Sequence, residues 1–160
     1  MTAAKIDVTR RRLIVAASLA ALGIAAGAAN AQPQRPAVEV WKSPTCGCCK
    51  DWIAHLEANG FLVKVHDTGN DAMRARLGIP LDLGSCHTAK VARYAIEGHV
   101  PAREIQRLLR EMPDAIGLAV PGMPVGSPGM DGPAYGGRRD HYAVLLVQRD
   151  GSTRTYQSYN

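Results

Sequence analysis

Val38-Glu39-Val40-Trp41-Lys42-Ser43-Pro44-Thr45-Cys46-Gly47-Cys48-Cys49-Lys50-Asp51-Trp52-Ile53 is the stretch on which the reading of the fold turns. Val38 to Trp41 alternates, the period of a half-buried strand. Ser43-Pro44-Thr45 marks a turn. A helix is expected to begin within Cys46 to Cys49 and to run to Asn59, with Gly60 as its stop. Trp52, Ile53 and Leu56 give that helix an apolar face.

Outward from this start the elements alternate. Phe61 to His66 reads as a strand, and Asp71 to Leu77 as a short helix stopped by Gly78 and Pro80. Leu81 to Thr88 reads as a loop that carries Cys86 and His87, and Lys90 to Glu97 as one strand. Pro101 opens a helix whose apolar residues Ile105, Leu108, Leu109 and Met112 fall at i, i+3, i+4 and i+7, and Pro113 ends it. A Gly/Pro-rich loop spans Val120 to Gly137. Tyr142 to Val147 and Thr153 to Tyr159 form a hairpin about Arg149-Asp150-Gly151. A strand, a cysteine loop and a helix start in this order are the pattern of thioredoxin-like α/β domains. The expectation for 38–160 is a thioredoxin-like α/β domain: a central mixed sheet flanked by helices, with a C-terminal β-hairpin.

Three thiols, Cys46, Cys48 and Cys49, lie within four residues at the expected helix start. Free N–H groups and the positive end of the helix dipole favour thiolate there. Lys42 and Lys50 add positive charge. Cys46 and Cys49 have the C-x-x-C spacing of a dithiol–disulfide catalyst. Cys48 sits inside that pair, where a third thiol invites disulfide scrambling in an oxidising compartment. A metal site has reason to keep it. Vicinal Cys48 and Cys49 chelate a single tetrahedral ion poorly but can bridge two or more ions. Softness selects Cu(I) or Zn(II) over hard cations, with zinc the alternative as a Cys₃His structural ion. Cys86 and His87 supply a fourth thiol and an imidazole and are expected to converge on the same site. Met123 and Met130 place two thioethers in the Gly/Pro loop, and Met is a soft copper ligand. His55, His66 and His99 are read as structural or surface residues.

The first 31 residues read as a secretory signal peptide. Lys5, Arg10, Arg11 and Arg12 precede an uncharged run from Leu13 to Ala31 that ends Ala29-Asn30-Ala31, so cleavage is expected after Ala31. Thr9-Arg10-Arg11-Arg12-Leu13-Ile14 resembles a twin-arginine export signal. A Pro-containing linker, 32–37, follows. The expected location is the periplasm, with no membrane span left after cleavage. The chain carries 19 basic and 14 acidic residues, net +5. The leader takes 4 and 1 of them, which leaves 15 basic against 13 acidic, net +2. No Lys/Arg stripe with interleaved aromatics remains, so a nucleic-acid partner is not expected.

Ser43-Pro44-Thr45-Cys46-Gly47-Cys48-Cys49, Cys86-His87-Thr88, Glu97-Gly98-His99-Val100-Pro101-Ala102 and Val120-Pro121-Gly122-Met123-Pro124-Val125-Gly126-Ser127-Pro128-Gly129-Met130 occur in that order. Together they resemble the CopG-type periplasmic copper-resistance proteins. The resemblance implies a thioredoxin-like fold and copper handling beside other copper-resistance proteins. It also implies Cu(I) held by the Cys-x-Cys-Cys thiolates, with copper redox proposed for the family. The ligand role carries onto Cys46, Cys48, Cys49 and Cys86, and also onto His87 and Met123. Three functions fit the residues: a copper-binding protein that sequesters Cu(I) or converts its oxidation state, a thiol–disulfide oxidoreductase using Cys46 and Cys49, and a structural zinc domain that binds a partner.

Overall fold

The computed structural model describes residues Arg35–Asn160. The leader expected at 1–31 and residues 32–34 of the linker lie outside the described residues. Among the described residues no helix is long and apolar enough to cross a membrane.

Strand β1 (Ala37–Lys42) leads through the cysteine turn into helix α1 (Gly47–Ala58), and β2 (Leu62–His66) returns parallel to β1. Cys49, Trp52, Ile53 and Leu56, spaced i, i+3, i+4 and i+7, are the buried stripe of α1. A short helix α2 (Asp71–Arg76) and a 3-10 turn at Leu81–Leu83 follow. Next come β3 (His87–Val91), β4 (Tyr94–Glu97), α3 (Ala102–Glu111), β5 (Gly117–Ala119), β6 (Tyr142–Val147) and β7 (Thr153–Tyr159). The seven strands form one mixed sheet in the order β2-β1-β3-β4-β5-β6-β7. The α/β expectation therefore holds, terminal hairpin included. The β1-α1-β2 unit, flanked by antiparallel β3 and β4 and followed by α3, is compatible with a thioredoxin-like arrangement.

Apolar clusters pack on both faces of the sheet. Trp52 and Leu56 of α1 and Ile105 and Leu108 of α3 pack with Val38, Val40, Ile96, Leu118 and Val144 on one side. Ile79 and Leu83 pack with Ala95, Ala119 and Val147 on the other. The alternation along β4, with Ile96 on one side and Ala95 on the other, is the strand period at work.

Four sequence readings need correction. The single strand expected over Lys90 to Glu97 is two strands of a hairpin, β3 and β4, whose turn passes through Ala92 in the left-handed region at φ 49°. His87, expected in a loop, is the first residue of β3 and pairs in register with Lys42 of β1. Strand β5 went unforeseen because three residues, Gly117–Ala119, are too few to carry a period. Met112, expected on the apolar face of α3, ends that helix in the left-handed region and is exposed. The next residue, Pro113, removes the N–H and the geometry that continuing the helix requires.

Candidate metal centre

Cys46 caps α1 in extended backbone, its N–H donating to the Ser43 carbonyl at 3.1 Å. The helix turn then places Cys49 on the buried stripe and leaves Cys48 half-buried. Cys46 and Cys49 are joined by a disulfide, with Cα atoms 5.4 Å apart. Cys48 and Cys86 are free thiols. Cys49 and Cys86 stand 37 positions apart in the sequence, yet their Sγ atoms are 3.4 Å apart. Cys48 Sγ lies 3.8 Å from Cys86 Sγ and 3.6 Å from Cys46 Sγ. All four sulfurs fall within 4.8 Å of one another. The convergence expected of Cys86 is thus present.

Two imidazoles reach the same thiol. His87 Nδ1 is 3.4 Å from Cys86 Sγ, and its buried ring stands 4.2 Å from the Trp52 ring. His87 Nε2 has no hydrogen-bond partner among the described residues. Burial first, and then the neighbouring His99 and Lys42 charges, hold the His87 pKa well below the usual imidazole range. His99 Nε2 lies 3.1 Å from Cys86 Sγ, and His99 Nδ1 is 2.8 Å from the Pro128 carbonyl. A carbonyl only accepts, so Nδ1 carries the proton. The Nε2 lone pair of neutral His99 then faces the sulfur, a tautomer fixed as in many metal-bound histidines. Burial lowers the His99 pKa, against the pull of the Pro128 carbonyl and of Asp131. Burial also pushes the Cys86 thiol up to about 12, with Cys48 adding to the rise.

His99 is the imidazole beside Cys86 that sequence reading did not place there, having taken it for a structural or surface residue. The β3–β4 hairpin explains the miss. A tight turn at Ala92 and Arg93 brings the open end of the hairpin together, so Cys86-His87 and Gly98-His99 become neighbours. Read as one strand, the same residues put His99 far from Cys86. His55 is structural, as expected: its Nε2 accepts the Ala102 N–H at the start of α3. His66 stacks on Trp41 and bonds Glu39, away from the thiols. Lys42 is buried against Asp67 and the Ser43 carbonyl, so its charge is already engaged.

The Gly/Pro loop closes over the site. Gly122 N–H bonds the Gly84 carbonyl, and the Ser85 hydroxyl donates to the Gly122 carbonyl. Further along, Gly129 at φ +85° sits directly on α1: a Cβ there would stand 2.6 Å from the Cys48 carbonyl oxygen and 2.8 Å from Trp52 N. Met130 is buried and accepts the Tyr135 hydroxyl at its sulfur, whereas Met123 is 51% exposed.

Residues 83–130 match the family described as "Protein of unknown function, DUF411". That span holds Cys86, His87, His99 and the loop to Met130. No curated protein sequence matches the chain. Among solved structures, the chain is similar to "Copper resistance protein copG- Form 2" at 48% identity and a TM-score of 0.72, covering 78% of this chain and 98% of that one. It is similar to "Copper resistance protein copG- Form 1" at 49% identity and a TM-score of 0.71, covering 77% and 96%.

Proposed function

The chain belongs to the CopG family of copper resistance proteins, and we propose that it holds Cu(I) as cargo in a thiolate site made by Cys46, Cys48, Cys49 and Cys86. The observation that carries this reading is the gathering of four sulfurs, from two distant segments, within 4.8 Å. Thiolates select soft ions. Each Cu(I) takes two or three soft donors, so four bridging sulfurs suit more than one ion.

Loading begins from reduced protein. An external dithiol opens the Cys46–Cys49 disulfide by exchange and is itself oxidised to a disulfide; copper binding then displaces the thiol protons, because thiolate is the ligand. His87 through Nδ1 and His99 through Nε2 supply imidazole donors without adding charge. Met123, exposed on the loop that covers the site, is the candidate thioether donor. The disulfide supports a redox step within the same reading. Cys46 and Cys49 thiolates each give one electron to a Cu(II), two Cu(I) form, and the sulfurs close into the disulfide, which leaves Cys48, Cys86, His87 and His99 as the donors to the ions until the bond is reopened. Copper resistance then follows by sequestration or by conversion between oxidation states. It takes place in the periplasm, after export and removal of residues 1–31, beside other copper-handling proteins.

A second reading, a thiol–disulfide oxidoreductase, is favoured by the same Cys46–Cys49 bond. Cu(I) titration of anaerobically reduced protein against a chromogenic Cu(I) chelator, with Zn(II) in parallel, decides between them when repeated on Cys48→Ser. The copper reading expects tight Cu(I) uptake that Cys48→Ser weakens. Unchanged Cu(I) binding in Cys48→Ser, together with retained disulfide reduction, would establish the oxidoreductase. Preference for Zn(II) would establish the structural zinc domain.

A further inference from the structure

Glu97 is a carboxylate with no solvent exposure at the end of β4, and its oxygens accept three hydrogen bonds. Arg74 Nε donates to Oε1 at 2.9 Å, the Ser85 N–H donates to Oε1 at 2.8 Å, and the Thr88 hydroxyl donates to Oε2 at 2.6 Å. Arg74, also buried, donates from Nη2 to the Ser85 carbonyl at 2.6 Å and from Nη1 to Asp71 at 2.8 Å. The Asn70 amide donates to the Ser85 carbonyl and to Thr88 Oγ1, each at 3.2 Å. One ion pair therefore grips both the N–H and the C=O of Ser85, the residue before Cys86, and holds Thr88 two residues after it.

A buried ion pair is a poor stability device: apolar residues of similar size often serve as well or better. What this pair offers is geometry. Gly84 to Cys86 precedes β3 and has no strand neighbour to fix it. Cys86 must nonetheless present its sulfur 3.4 Å from Cys49 and 3.8 Å from Cys48. A site whose support lets it loosen by about 1 Å loses function while remaining folded.

We propose that Glu97 and Arg74 are positioning residues, a buried clamp on Ser85 that delivers Cys86 to the Cys-x-Cys-Cys thiols. The copper consequence rests on the function proposed above; the placement of Cys86 does not. The clamp is removed by Glu97→Leu with Arg74→Leu, which leaves no buried charge unpaired because Asp71 is exposed. Arg74→Lys is the milder variant, keeping a charge opposite Glu97 but losing the fork that spans Glu97 and the Ser85 carbonyl. Glu97→Gln keeps the acceptor and serves as the conservative rescue.

The metal-free arm uses the whole chain carrying Cys46→Ser and Cys48→Ser, with the Cys49–Cys86 disulfide equilibrated in glutathione buffers. The expected result is a fall of about tenfold or more in that equilibrium constant for the Leu pair, a smaller fall for Arg74→Lys, and recovery toward the parent in Glu97→Gln. The copper arm measures Cu(I) affinity of the clamp variants with all four cysteines present, and again in a Cys86→Ala background. A positioning role predicts a loss in the first case that disappears in the second, since coupled residues are not additive. An unchanged disulfide equilibrium, or an equal copper loss with and without Cys86, would overturn the proposal. Should the parent bind no Cu(I) while the clamp variants still weaken the Cys49–Cys86 disulfide, the copper function fails and the positioning role stands.

Discussion

Gly129→Ala puts the contact between loop and helix to a quantitative test. The added Cβ would meet backbone: the Cys48 carbonyl oxygen at 2.6 Å, Trp52 N at 2.8 Å and Trp52 Cα at 3.2 Å. None of these is the end of a flexible side chain. Ordinary contact begins near 3.4 Å, so the loop must lift by about 0.8 Å, the difference from 2.6 Å. The loop moves as a unit, because Gly126 N–H bonds the Met130 carbonyl and Met130 N–H bonds the Ser127 carbonyl. Alanine at φ +85° adds roughly 1–2 kcal/mol of backbone cost. Overpacking against fixed atoms adds about 1–3 kcal/mol. The total is about 2–5 kcal/mol, or a midpoint lower by roughly 8–20 °C for a domain of this length.

Two glycines calibrate the number. Gly132→Ala meets nothing within 4 Å and has ordinary φ, so it is expected to be nearly silent. Gly136→Ala, at φ +61° in open space, isolates the backbone cost alone. Thermal unfolding of the reduced, metal-free proteins, followed by circular dichroism, ranks the three. Lifting the loop also draws the Pro128 carbonyl from His99, so Cu(I) affinity should fall by about tenfold, as when an outer partner of a metal-bound histidine is lost. If Gly129→Ala unfolds no sooner than Gly136→Ala, the loop does not press on α1 and the reasoning fails.

Acid should destabilise the metal-free domain below pH 6.5. Burial depresses the pKa of His55, His87 and His99 in the folded state, so the unfolded chain binds more protons, and stability present above 6.5 is lost as pH falls toward the folded values. Buried His87 and His99 each contribute up to about 1.4 kcal/mol per pH unit across their windows and half-buried His55 less, because solvent screens it, while Glu97, raised by burial, opposes them from above 4.5. Equal urea midpoints at pH 7.5 and 5.5 would contradict this. Intact mass of the protein isolated from cells should correspond to a chain beginning at Gln32, and a species still beginning at Met1 would refute export with cleavage after Ala31.

The parts legible in sequence are those with strong local signals. The alternation of β1, the apolar stripe of α1 and the Pro101 helix start all appear where their periods place them. Three cysteines in four residues announce chemistry without any fold. What stayed hidden depends on pairing between distant segments. The β3–β4 turn lacks the Asn-Gly or Asp-Gly signature of a two-residue hairpin; it uses Ala92 and Arg93, with Ala92 at φ 49°. Missing that turn hid the approach of His99 to Cys86. Glu97 stood in a motif that carried the family resemblance, but its burial and its pairing with Arg74 were not legible, because a charged residue in a strand or a short helix is ordinarily read as solvent-facing.

The topology explains why the fourth sulfur comes from Cys86. In a β-α-β unit the residues at the C-terminal end of β1 and the N-terminal end of α1 open at one edge of the sheet. The start of β3 lies there as well, because β3 runs antiparallel to β1 and pairs His87 with Lys42. The end of β4 returns to the same edge and brings Glu97 and His99. The cysteines and histidines therefore arrive at the ends of three elements: the start of α1, the start of β3 and the end of β4. The short approach from Gly84 to Cys86 has no strand neighbour, and the buried Glu97–Arg74 pair meets it there. Free Cys48 and Cys86 also lie within 4 Å of a sulfur of the Cys46–Cys49 disulfide. In the function proposed above, that proximity would serve metal bridging when the thiols are reduced; when they are oxidised it would serve disulfide exchange, so the redox state of Cys46 and Cys49 would select between the two.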